Sequence, residues 1–93
     1  MLSQSNIKLI KSLYHKKYRV LNKLFVVEGK KSISDLFKSD YKIHSLFATK
    51  DWIDSNPKQN AVLVSQKELF RISNLKNPDS VLALVSIKTL HHP

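Results

Sequence analysis

Cysteine is missing from this sequence, and glycine and proline are scarce, with one and three copies among 93 residues. Without cysteine the protein has no disulfide scaffold, no thiol catalysis and no thiolate metal site, and an intracellular, cytoplasmic setting is favoured. A single glycine cannot form the glycine-rich loop of a nucleotide cofactor site. No apolar run reaches about 18 residues, and residues 1–18 mix lysine with isoleucine and leucine, so we expect neither a membrane span nor a signal peptide.

The side chains that catalyse reactions or bind metals do not form recognisable groups. The four histidines show no metal-ligand spacing with carboxylates, so no metal site is expected. Asp51 and Asp54 lie close together on a short helical segment and look like ordinary surface charge. No set of nucleophile, base and orienting residue can be assigned, so the sequence predicts no catalytic residue.

Basic residues are abundant, since 16 lysines and arginines face 7 acidic residues and give a net charge of +9. Such an excess attracts RNA, DNA or acidic membrane surfaces. Nucleic acid is favoured because the charge is spread over several predicted elements, whereas a membrane-surface binder concentrates it on one amphipathic helix. The alternative is a basic protein-interaction domain whose charge serves only solubility.

The densest group of cations lies just before an apolar strand. Four cations lead directly into the apolar residues 24–27, namely Lys16, Lys17, Arg19 and Lys23. Such cations can neutralise RNA phosphates, although they would also suit the C-terminal dipole of a solvated helix. If the first helix continues through about residue 19, helical spacing places a stripe of basic side chains next to its apolar face. This stripe consists of Lys8, Lys11, His15 and Arg19.

Glu28 and the single glycine, Gly29, stand where this strand meets a second helix. They could present backbone amides to a phosphate, with glycine allowing close approach. Alternatively, Gly29 supplies a strained turn and Glu28 pairs with a lysine or caps a helix. Lys30 and Lys31 begin the helix, where the macrodipole disfavours cations. This local conflict indicates a binding role, with an ordinary solvated pair as the alternative.

The candidate RNA-binding residues are therefore Lys8, Lys11, Lys16, Lys17, Arg19, Lys23, Lys30 and Lys31. The candidate turn or backbone site consists of Glu28 and Gly29.

Helices and strands alternate along the chain. Ser5 or Asn6 is predicted to cap a first helix, and strands are predicted at residues 24–27, 43–48, 61–64 and 81–87. Helices lie between the strands, one after Gly29, a short one after Thr49 and one after the capping-box sequence at residues 65–68. This alternation predicts an α/β sandwich with a largely parallel sheet. The first strand is apolar on both faces, which is typical of a central strand.

Five short motifs occur in a fixed order along nearly the whole chain. They are KKYR at 16–19, FVVEG at 25–29, LFAT at 46–49, VSQKEL at 64–69 and VLALV at 81–85. This series resembles the N-terminal substrate-binding domain of SpoU/TrmH-type RNA 2′-O-ribose methyltransferases, members of the SPOUT superfamily. The resemblance implies the fold of the kink-turn-binding ribosomal proteins. That fold is a small three-layer α/β/α sandwich with a mixed sheet of about four strands, the last antiparallel to the others.

The same resemblance implies a division of labour between two domains. This domain would hold rRNA or tRNA, while a separate C-terminal domain with a knotted backbone would bind S-adenosylmethionine, transfer the methyl group and form a homodimer. Residues 5–88 would be the RNA-binding domain, residues 1–4 a tail, and residues 89–93 the start of a linker to the absent catalytic domain. The chain alone would then be a monomer without cofactor or catalytic activity. The alternative is a stand-alone ribosome-associated RNA-binding protein without catalytic activity.

The chain departs from the family pattern in two places. Many family members carry Thr-Pro-Gln-Gly before the last strand, whereas this chain has Asn77, Pro78, Asp79 and Ser80. A backbone contact that needs glycine at residue 80 is therefore not expected. The Asn-Glu-basic signature of kink-turn binders is also missing, so we do not expect specific recognition of kink-turns.

Overall fold

A computed structural model describes residues 2–88, which form five helices and four strands. The helices are α1 (Gln4–Ser12), α2 (Lys16–Asn22), α3 (Lys30–Phe37), α4 (Lys50–Ser55) and α5 (Gln66–Ile72). The strands are β1 (Leu24–Glu28), β2 (Ile43–Ala48), β3 (Val62–Leu63) and β4 (Val81–Ser86). All four predicted strands form. The linker predicted at residues 89–93 lies outside the described residues, as does Met1.

The four strands form one mixed sheet in the order β1-β4-β2-β3. β4 is antiparallel to both β1 and β2, and β3 is parallel to β2. The antiparallel last strand implied by the resemblance is therefore confirmed. The largely parallel sheet predicted from the alternation is wrong, because β4 inserts between β1 and β2 and leaves β2–β3 as the one parallel neighbouring pair among residues 2–88.

The prediction that the first strand is central is also wrong, because β1 lies at an edge of the sheet. Phe25 and Val27 pack on the core of one face, and Val26 packs on the core of the other. Helices cover both faces of the sheet, so an edge strand is apolar on both sides as a central strand would be. The central position belongs to β4, whose residues 81–85 are all buried.

Two hydrophobic cores lie on opposite faces of the sheet, which confirms the predicted α/β/α sandwich. Ile10 of α1 and Leu69 and Ile72 of α5 pack in one core. Ile33 of α3 and Trp52 of α4 pack in the other. Burying such side chains contributes roughly 1.5–3 kcal/mol each, so the sheet and four of the helices form a rigid scaffold.

Two of the helices begin with side-chain caps. The predicted capping box of α5 is confirmed, since the Ser65 hydroxyl accepts from the Glu68 amide at 3.1 Å and Glu68 accepts from the Ser65 amide at 2.9 Å. The predicted cap of α1 is wrong, because Ser3 accepts the Asn6 amide. The helix therefore starts two or three residues earlier than the sequence pattern indicates.

Candidate nucleic-acid interface

The cations predicted at residues 16–23 lie on and just after α2, a helix whose side chains project into solvent. All seven residues of α2 are described, and none of them is buried. Lys16, Lys17 and Lys23 are exposed, whereas Arg19 is half-buried and its Nη1 donates to the Leu13 carbonyl oxygen at 3.0 Å. We call Lys16, Lys17, Arg19 and Lys23 the α2 cluster. Its three lysines are accessible to a ligand, while Arg19 anchors α2 to the end of α1.

The position of α2 is fixed by the turn at its C-terminal end. Lys23 has a left-handed backbone conformation with a φ of 57°. Its amide donates to the Arg19 carbonyl oxygen, and its own carbonyl oxygen accepts from the Ile87 amide at 2.9 Å. β1 begins at the next residue, so α2 is tied to the start of this edge strand. The α2 cluster therefore has a defined place on the scaffold, as precise ligand contacts require.

Apolar side chains accompany the cations of α2. Val20 is 63% exposed and Leu21 is 71% exposed. Tyr18 is also exposed, and the Lys17 ammonium lies 5.6 Å from the centre of its ring. A surface that combines lysines with an accessible aromatic ring can contact both phosphates and unpaired bases. The α2 surface thus carries groups able to make both kinds of contact.

The predicted cationic stripe along a single first helix is wrong, because α1 and α2 are separate helices. Buried contacts cause the break. The Leu13 side chain is 1% exposed, and the Tyr14 hydroxyl donates to the Ile72 carbonyl oxygen at 2.6 Å. Lys8 and Lys11 are exposed on α1, so they belong to a different helix from the α2 cluster.

The Glu28 carboxylate joins the end of β1 to the end of α5. It accepts from the Ser73 hydroxyl at 2.5 Å and the Asn74 amide at 3.0 Å, and the Tyr14 hydroxyl, whose proton is donated mainly to Ile72, lies 3.4 Å away. Burial, together with the negative charge of Glu28, raises the pKa of Tyr14 well above its usual value. Within residues 2–88 no lysine forms an ion pair with Glu28, so the lysine pairing considered above is not made. The contacts of Glu28 hold three elements together.

Gly29 turns the chain from β1 into α3 in a conformation that suits glycine. Its φ is 100° and its ψ is 146°, and its amide donates to the Val81 carbonyl oxygen at 3.2 Å. The Asp79 carboxylate accepts the Lys30 amide at 3.0 Å and the Ser80 amide at 2.7 Å. A carboxylate of the protein itself thus stands where a phosphate would meet the first amides of α3. These contacts support the alternative in which Gly29 supplies a strained turn between β1 and α3.

Lys30 and Lys31 are exposed at the start of α3, away from the α2 cluster. Lys23 precedes β1 and Lys30 follows it, so the extended strand places their backbones roughly 20 Å apart. The structure therefore brings together the cations of residues 16–23 and leaves Lys30 and Lys31 as a second group.

Acid is expected to destabilise the fold through Glu68 and Asp79. The amides of Leu2 and Ser65 lower the pKa of Glu68, and the Lys30 amide lowers the pKa of Asp79. Both values lie below those of the unfolded chain, so this stabilisation is complete above about pH 4.5 and is lost as the pH falls through the folded values. Thermal unfolding followed by the fluorescence of the single tryptophan should therefore show a melting temperature that drops below this pH.

A double variant, Glu68→Gln with Asp79→Asn, provides the control for this pH dependence. Because it cannot titrate at these two sites, its melting temperature should change less between about pH 5 and pH 3. A wild-type melting temperature that stays constant over this range would contradict the prediction.

No helix within residues 2–88 is long and apolar enough to cross a membrane. No group of three or more histidine, cysteine, aspartate or glutamate side chains in this part of the chain could hold a metal ion.

The sequence matches the family described as the MRM3-like substrate binding domain over residues 4–83. No curated protein sequence matches the chain at a significant level. The family match thus covers α1 to the first half of β4, including the α2 cluster and the second group of cations at Lys30 and Lys31.

Solved structures of RNA methyltransferases share this fold. A TrmH-family protein from Porphyromonas gingivalis is 26% identical over 100% of this chain, with a TM-score of 0.86. An rRNA methyltransferase from Sinorhizobium meliloti with bound AdoMet is 26% identical over 95% of the chain, with a TM-score of 0.71. The SpoU methyltransferase AviRb from Streptomyces viridochromogenes, in complex with AdoMet, is 15% identical over 94%, with a TM-score of 0.75.

These structures are much longer than the present chain. The chain covers 38%, 36% and 37% of them, respectively. The similarity therefore concerns one domain of each structure, and more than half of each relative has no counterpart in this sequence.

Proposed function

Because the chain belongs to the MRM3-like substrate binding domain family, we propose that it holds the RNA substrate of a SpoU/TrmH-type RNA 2′-O-ribose methyltransferase. The substrate is rRNA or tRNA. One observation carries the proposal: α2 buries none of its seven described side chains and presents Lys16, Lys17 and Lys23 to solvent beside Tyr18. A helix that contributes nothing to the core is well suited to contact a ligand.

Methyl transfer is assigned to a separate C-terminal domain of the full-length protein, which binds S-adenosylmethionine and forms a homodimer. Two similar structures contain AdoMet, and this chain covers 36% and 37% of them. The single glycine of this chain lies at the start of α3, where the Asp79 carboxylate already accepts the Lys30 amide, so this turn does not provide a glycine-rich cofactor loop. The domain alone is therefore expected to be a monomer that transfers no methyl group.

The role of the domain in the reaction is positional. Lysines of the α2 cluster neutralise phosphates, and structured RNA is held mainly through its backbone and shape. Holding the RNA on a rigid sandwich converts the encounter of ribose and cofactor into an intramolecular event, which lowers the entropic part of the barrier. The cations of this chain thus serve affinity and orientation.

Salt titration of RNA binding tests this proposal. With labelled rRNA or tRNA fragments, the logarithm of the binding constant should fall linearly with the logarithm of the salt concentration. If the three exposed lysines of the α2 cluster each neutralise one phosphate, the slope should be about −2 to −3. Fluorescence anisotropy at several salt concentrations measures this slope. Failure to bind at low salt, or binding that is independent of salt, would contradict the proposal.

A further inference from the structure

A groove lies between α4 and α5, where the C-terminal ends of β2 and β3 meet the start of β4. Its volume is about 950 Å³, within the upper range of small-ligand pockets. Side chains from four separate parts of the chain line it, among them Thr49, Trp52, Leu63, Gln66 and Ser80. No residue of the α2 cluster is among the described residues that line the groove. Of the candidate RNA-binding cations, Lys30 alone is among them.

The groove carries balanced charge, unlike the α2 surface. Two cations, Lys30 and Lys50, and two carboxylates, Asp51 and Glu68, line it. The Lys50 ammonium is 2.7 Å from Asp54, and Glu68 is held in the capping box of α5. A phosphate would meet as much negative as positive charge here. The site is therefore suited to a neutral, polar ligand.

The described lining of the groove combines apolar surface with groups that can donate or accept hydrogen bonds. Leu63 is 54% exposed and provides apolar surface. Gln66 donates through Nε2 to the Pro78 carbonyl oxygen at 3.2 Å, which leaves its carbonyl oxygen as an acceptor. The Thr49 hydroxyl forms no capping hydrogen bond within the described part of α4, so it can donate or accept.

We propose that this groove binds an unstacked base from a single-stranded loop of the RNA. The inference rests on the proposed function, since the RNA is the one that the α2 cluster holds. Unpaired bases present both a flat face and a hydrogen-bonding edge, and these are what proteins read in RNA loops. Lys30 lies on the groove wall and Lys31 follows it at the start of α3. They would contact the phosphates that flank the inserted base.

The single tryptophan makes this inference testable, because Trp52 lines the groove. Short single-stranded RNA oligomers of different base composition should change Trp52 fluorescence in a saturable way for at least one composition. An oligomer of the same length with abasic positions should bind at least about fivefold more weakly, because it keeps the phosphates but lacks the bases. Equal binding of both oligomers, or no saturable change with any composition, would overturn the inference.

Two exposed apolar residues provide a matched pair of variants. Leu63→Ala removes apolar surface from the groove and should weaken oligomer binding about fivefold. Phe70→Ala, on an exposed position of α5 that does not line the groove, should change it less than about twofold. If both variants bind as the wild type does, Leu63 is not in the site and the inference fails. Thermal unfolding confirms that each variant is folded.

The α2 cluster separates this inference from the proposed function. Lys16→Glu with Lys17→Glu should weaken binding of structured RNA strongly, whereas the affinity of the short oligomer, followed by Trp52 fluorescence, should fall only a few-fold through the general field of the protein. If structured RNA binds with the expected salt dependence but the oligomer gives no response, the groove proposal alone fails. If structured RNA does not bind, the proposed function fails regardless of the groove. Response of Trp52 to a peptide mixture but not to RNA would assign the groove to a protein partner.

Discussion

Replacing Lys16, Lys17 and Lys23 together by glutamate is expected to weaken binding of structured RNA roughly a hundredfold at low salt. All three ammonium groups are exposed on or beside α2, so the variant loses three phosphate contacts and gains three repulsive charges. The slope of the logarithm of affinity against the logarithm of salt concentration should also become less negative by about 2 to 3. Fluorescence anisotropy with labelled rRNA and tRNA fragments measures both quantities. Arg19 is left unchanged, because its bond to the Leu13 carbonyl oxygen positions the helix.

A second triple variant tests whether location or total charge matters. Lys38, Lys58 and Lys67 are also exposed but lie outside α2, and replacing them by glutamate changes the net charge by the same amount. This control should weaken binding only a few-fold, through the general field of the protein. Equal losses in the two variants would show that RNA responds to total charge, and the assignment of the α2 cluster would then be wrong.

Local signals in the sequence predicted much of the fold. The Ser65 capping box depends on residues three positions apart, and both of its hydrogen bonds form. Ile33 and Leu36 are three residues apart on α3 and both are buried against the sheet. Such features depend on nearest neighbours along the chain. They can therefore be predicted from the sequence alone.

Contacts between residues far apart in the sequence determine the features of the fold that local patterns did not predict. The break between α1 and α2 depends on the bond from Tyr14 to Ile72, which are 58 positions apart. Likewise, the insertion of β4 beside β1 cannot be deduced from strand patterns, because both of these strands are apolar on their two faces and the pattern does not distinguish an edge strand from a central one. The resemblance to a known family predicted the direction of β4, but composition and periodicity did not.

The candidate site was only partly visible in the sequence. Lys16 and Lys17 were identifiable from charge density, and the structure places both on a helix that buries no described side chain. The groove was not identified, because its walls come from segments that meet only in the folded chain. A usable signal did exist: Thr49 and Ser65 each directly follow a predicted strand. Parallel strands end at the same edge of a sheet, which is where ligands commonly bind in α/β proteins.

Replacing Glu28 by alanine is expected to lower the free energy of unfolding by about 2–3 kcal/mol. The carboxylate accepts hydrogen bonds from the half-buried Ser73 hydroxyl and the exposed Asn74 amide, and alanine removes the acceptor of both donors and with it the link between β1 and the end of α5. For a domain of this size the melting temperature should fall by roughly 10–20 °C. Urea unfolding followed by tryptophan fluorescence, with the slope of the transition unchanged, would measure the loss.

The matched variant Glu28→Gln distinguishes the two roles considered for this residue. The Ser73 hydroxyl and the Asn74 amide donate to different oxygens of Glu28, whereas glutamine has one oxygen and no charge, so it should recover only part of the stability that alanine loses. If the carboxylate only joins β1 to α5, folded Glu28→Gln protein should bind structured RNA as tightly as the wild type. A folded Glu28→Gln protein that binds structured RNA more weakly than the wild type would instead place the charge of Glu28 in the interface. The Tyr14 and Ser73 contacts, which turn the carboxylate towards α1 and α5, favour the first outcome.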